Sequence, residues 1–196
     1  MEINPKIIPV LKNVMKAFGD NPKFDDLADY LPFLCAFGEH DFTRSHVKDL
    51  KQRLNSNGLI DFDHNNILKF SKHYEIILGL IEIYRILGDR DILDLTIKIT
   101  EACIEKFIWR NGIVANYNEK WHVPSFLISF YNYSFVELLL DLYEETGNID
   151  YFTISRDILY DAVDIPFYKE YHLFPMADYL LLRNILYYIR SPRTCF

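Results

Sequence analysis

The chain has 196 residues, half of them apolar and a quarter charged, which is ordinary globular composition and long enough for a single domain with its own core. Acidic residues outnumber basic ones 28 to 21, giving a net charge of −7, and the basic residues are scattered without a stripe, which argues against a nucleic-acid partner. No stretch approaches the roughly 20 uncharged apolar residues of a membrane span, so no membrane partner is expected either.

Taken in chain order, residues 1–24 predict an N-terminal helix. An acidic residue at position 2, two prolines and interspersed lysines break any continuous apolar core of a signal peptide. The three cysteines, Cys35, Cys103 and Cys195, are odd in number and far apart, and two sit in apolar helical patterns. Both features predict a cytoplasmic protein.

Residues 25–66 predict a first helical hairpin, with its turn at Gly38-Glu39 and a longer connector opened by Asn57-Gly58. Residues 67–124 predict a second. Its leading helix carries Ile76, Ile77, Leu80, Ile83, Tyr84 and Leu87 at spacings of three and four, and its turn is Gly88-Asp89. The returning helix interleaves Leu93, Leu95, Ile97, Ile99, Ala102, Cys103 and Phe107 with Asp94, Lys98, Glu101, Glu105 and Lys106, so one of its faces meets water. Asn111-Gly112 opens the next connector, in which Gly112 to Ala115 reads as at most a strand-like loop. Residues 125–176 predict a third hairpin, with Gly147-Asn148 in the turn. An incomplete fourth copy follows at 177–196, where Ala-Asp-Tyr-Leu at 177–180 repeats the same four residues at 28–31. The whole reads as one all-α domain of about three and a half hairpins, leading helices inside and returning helices outside.

This alternation of inner helix, Leu/Thr-Gly-Asp/Asn turn, outer helix and Gly-aromatic connector resembles the (α/α)6 toroids of the six-hairpin glycosidase and N-acylglucosamine 2-epimerase type, from about Asp25 to Tyr188. In the epimerase-like branch the inner helix carries a His-x-His-x-x-Glu motif. Here the stretch begins at His73, with Glu75 in place of the second histidine and Leu78 in place of the glutamate, so only His73 carries over. The resemblance implies an incomplete α/α toroid acting in carbohydrate metabolism.

In such a toroid the long connectors frame the site. On or beside that long-loop face, the residues able to act as paired acid and base are Asp63, His73, His122 and Asp178. Tyr117 and Trp121 could stack on a sugar ring, while Asn116, Asn118 and His172 could bond its hydroxyls. Each has a plainer alternative: Asp63 as a helix cap, His73 as a satisfied polar group at a packed helix start, and the aromatics as clamps on the connector. No two of the connector histidines stand at i, i+3 or i, i+4, so no metal is expected, and no cofactor motif occurs.

Two functions follow as expectations. The first is a sugar epimerase, isomerase or glycoside hydrolase working by paired acid and base groups. The second is a non-catalytic helical-repeat interaction or self-assembly module. The apolar pattern Leu180 to Ile189 predicts a homo-oligomer or a protein partner through the C-terminal helix.

Overall fold

The computed structural model describes residues 27–62, 67–109, 112–118, 123–127 and 129–164. Among them the chain is mostly helical. Six helices run in order as α1 (Leu27–Ala36), α2 (His40–Arg53), α3 (Phe70–Leu87), α4 (Arg90–Phe107), α5 (Ser129–Thr146) and α6 (Ile149–Asp164). Four short strands lie between them: β1 (Ile67–Lys69), β2 (Ile108–Trp109), β3 (Gly112–Asn118) and β4 (Val123–Leu127).

Burial follows the sequence pattern. In α5 the run from Ser134 to Tyr143 is buried except for the half-buried Glu137 and Asp141, as befits a helix covered on several sides. Helix α4 buries Ile92, Leu93, Leu95, Thr96, Ile99, Thr100, Ala102, Cys103 and Phe107, and turns Asp91, Asp94, Lys98, Glu101 and Glu105 to water. Its two buried threonines cost little, because each hydroxyl donates to the carbonyl four residues back, Thr96 to Ile92 and Thr100 to Thr96. Helix α1 packs on α3, α3 on α4, and α5 on α6.

Two of the three turns between paired helices share one construction, and the first, at Gly38-Glu39, has no side-chain cap. Gly88 and Gly147 both take left-handed backbone angles, φ 65° and 71°. Their N–H groups close the last turns on the carbonyls of Tyr84 (2.7 Å) and Tyr143 (2.8 Å). The next residue then caps the returning helix: Asp89 accepts from the Asp91 N–H and Asn148 from the Asp150 N–H, each at 3.1 Å. Ion pairs set these turns side by side. Arg44 of α2 reaches Asp89 at 3.5 Å, and Arg85 of α3 reaches Asp141 (3.1 Å) and Glu145 (3.0 Å) of α5.

The opposite end corrects the reading of Gly112 to Ala115 as at most a strand-like loop. The long connectors do not stay as loops but join in a four-stranded antiparallel sheet. Strand β3 is its centre, pairing with β1 (Ile67↔Asn118, Leu68↔Tyr117, Lys69↔Asn116), with β2 (Ile108↔Ile113, Trp109↔Gly112) and with β4 (Val114↔Leu127 through Asn118↔Val123). Leu68, Ile113 and Val114 are buried, so their backbone N–H and C=O groups cannot be left to water, and ladder pairing satisfies them.

The connector from α2 is held tightly as well. Asn55 accepts from the N–H groups of Asn57 and Leu59 through Oδ1, and Gly58 turns at φ 79° with its Cα against α4. A Cβ at Gly58 would stand 3.3 Å from that of Ala102. Gly58→Ala therefore combines left-handed strain with a close contact, and the expected cost is about 1–2 kcal/mol, read as a lower urea midpoint with unchanged slope.

Candidate functional site

Beneath the sheet lies an aromatic cluster that joins four segments of chain. Phe70, the first residue of α3, meets Phe107 at the end of α4 (ring centroids 5.5 Å) and Phe135 of α5 (5.1 Å), both edge-on. All three are fully buried. His73 stands one turn further along α3, its ring 5.5 Å from that of Phe62 in the α2–β1 connector and 5.7 Å from that of Phe107.

Both nitrogens of His73 are committed. Its Nε2 accepts the Ile60 N–H at 2.9 Å, and Nδ1 stands 2.7 Å from the carbonyl of Lys69. A carbonyl can only accept and an amide N–H can only donate, so these partners fix the neutral tautomer with the proton on Nδ1. Burial lowers the pKa to about 4 against a weaker upward pull from the Lys69 carbonyl, and the side chain has no exposed surface. Of the alternatives open in the sequence, this is the geometry of a satisfied polar group at a packed helix start.

The same contact ties His73 to the sheet. Lys69, whose carbonyl it holds, is the β1 residue paired with Asn116, so a continuous path runs from Ile60 through the imidazole and β1 to β3. The structure thus brings Asn116, Tyr117 and Asn118 to the helix start that carries His73. Asn116 is half-buried and paired with Lys69 and Ser125. Tyr117 is half-buried against the core, with the Lys106 ammonium 5.8 Å from its ring centroid, so a cation already lies over the ring. Asn118 is paired through its backbone with Ile67 and Val123. Asp63, Trp121, His122, His172 and Asp178 lie outside the described residues.

Other reactive groups are equally withdrawn. Cys35 and Cys103 are free, buried thiols that burial pushes upward, away from the thiolate a nucleophile needs. Among the described residues no group of three or more His, Cys, Asp or Glu side chains could hold a metal ion. Among them, too, no helix is long and apolar enough to cross a membrane. One group that sequence reasoning missed is Tyr151 of α6, whose buried hydroxyl has no hydrogen-bond partner among the described residues. Burial first, then the negative charge of Glu101 and Asp150, pushes its pKa up to about 12. A tyrosine at that helical position reads as core, and nothing in the sequence marks its hydroxyl as unmatched.

The chain matches no protein-family model, and no curated protein is similar to it.

Proposed function

We propose that this chain is a helical-hairpin interaction module, an arc of the α/α-toroid type that binds another protein through its surface and does not work on sugars through His73. The observation that carries this reading is the state of His73. An imidazole with both nitrogens bonded inside the core, and with its pKa lowered to about 4, has no lone pair to offer a substrate proton. Tyr117 is similarly engaged, packed on the core with a lysine over its ring. The repeat is supported by the matching construction of the turns at Gly88 and Gly147, and the arc by the contacts that set α1 against α3 and α3 against α5.

A carbohydrate-enzyme reading would have to rest on Asp63, His122 and Asp178 as acid and base, with Trp121 and His172 on the substrate. A thermal-shift screen against monosaccharides and uronates separates the two. The module reading expects no saturable stabilisation by any sugar. Saturable stabilisation that disappears in Asn116→Ala or Tyr117→Ala would return the function to carbohydrate chemistry at the sheet end.

A further inference from the structure

The charge of this molecule is unevenly placed once the fold is known. Residues 36–44, 82–94 and 141–150 form the three short turns with the helix ends that flank them. These segments hold ten of the 28 acidic residues and three of the 21 basic ones, so the remaining 18 of each balance. Along the sequence, the excess of seven acidic residues therefore falls in these three segments. The arginines there, Arg44, Arg85 and Arg90, already face carboxylates of the same rim, with Arg85 alone meeting Glu82, Asp141 and Glu145.

Fold stability explains part of this distribution, since Arg44 meets Asp89, Arg85 meets Glu82, Asp141 and Glu145, and Arg90 meets Asp94. Acidic residues at the start of a helix complement its dipole, which accounts for Asp41, Asp91 and Asp150. Glu144 and Glu145 occupy the last turn of α5, where the dipole favours cations and no basic residue is present. Asp141, one turn earlier, is pushed up by burial in spite of Arg85 and then by Glu144 and Glu82, so these carboxylates crowd one another.

The same rim exposes apolar side chains. Among the described residues four large hydrophobics are exposed, and three of them are here: Ile149 (58%), Ile86 (43%) and Phe42 (39%). The fourth, Trp109, is on β2 at the sheet end. We infer that the short-turn rim is a docking face for a basic, amphipathic segment of a partner protein, whose apolar residues cover Ile86 and Ile149 while its lysines or arginines meet the carboxylates around them. An anionic lipid surface or a nucleic acid would be repelled by the same charge, which leaves a cationic polypeptide as the occupant. The inference rests on the interaction-module reading and assigns its face.

The test is titration of the full chain with a synthetic peptide carrying leucines on one helical face and lysines on the other, followed by backbone amide shifts. A matched peptide with glutamate for lysine is the control. The expected result is shifts confined to 36–44, 82–94 and 141–150, binding that weakens about tenfold or more at about 0.5 M salt, and no binding of the control. Ile86→Ser with Ile149→Ser should weaken binding about tenfold, while Trp109→Ser leaves it unchanged. Shifts at the sheet end, or binding indifferent to the isoleucine pair, would overturn the inference and leave the module reading standing. Shifts that appear only with rising chain concentration would also overturn it, giving the rim to a second copy. Saturable binding of a sugar with no peptide binding would remove both.

Discussion

Truncating Phe70 to alanine is expected to cost about 3–5 kcal/mol, close to the whole stability of a marginal domain. The reason is where the ring sits. Phe70 opens α3 immediately after β1, is fully buried, and touches Phe107 and Phe135, which belong to the other two helices converging under the sheet. Removing it empties a space whose walls are three rigid elements, and close-packed walls relax only partly into such a hole. Urea unfolding reads the cost directly. A loss below about 1 kcal/mol would mean that the cluster does not join the hairpins as described.

The second large effect is a dependence on pH. His73 has a folded pKa of about 4 and an ordinary value of 6.5, so the native state holds it neutral while the unfolded chain takes up a proton. Its contribution is complete above about pH 6.5 and is lost as pH falls toward 4, because protonation is then favoured only in the unfolded chain. At 1.36 kcal/mol for each unit of pKa, the loss across that window is about 3 kcal/mol. His73→Phe should be less stable at neutral pH, since the Ile60 N–H loses its acceptor, and should also lose this acid dependence. Equal pH slopes for the two proteins between about pH 6.5 and 4 would contradict the assignment.

Much of the helical architecture is legible in residue spacing. Ile76, Ile77, Leu80 and Ile83 repeat at three and four, and the turns read at Gly88-Asp89 and Gly147-Asn148 are where the helices end; that Asp89 caps α4 is seen only in the structure. The sheet is not legible in the same way, for physical reasons. Strand β1 has three residues and runs straight into α3, and β2 has two, so neither is long enough to show a period of two. In β3 the successive residues Ile113 and Val114 are both buried, which erases the alternation a half-exposed strand would display. The dipeptide Asn111-Gly112, close after Ile108-Trp109 and directly before Ile113-Val114, was the available signal, since it is a hairpin sequence as well as a loop opener.

At the site, the sequence singles out His73 but cannot tell its burial. The acceptor role of Nε2 depends on Ile60, thirteen residues upstream, and on a connector whose path is set by Gly58 and Asn55. The acidic rim is written in the sequence as charge, yet its meaning depends on the three turns lying side by side, and that arrangement comes only from tertiary pairs such as Arg44–Asp89 and Arg85–Glu145. Local patterns specify each hairpin, and long-range contacts decide what the hairpins hold in common.

The measurement that reaches the centre of this account is the imidazole nitrogen spectrum of His73 in the intact chain as a function of pH. The expected result is a neutral ring protonated on Nδ1, slow to exchange with solvent and unchanged from neutral pH down to about pH 5. A ring that titrates near its ordinary value, or that carries its proton on Nε2, would place the histidine in contact with water and reopen it as a chemical base.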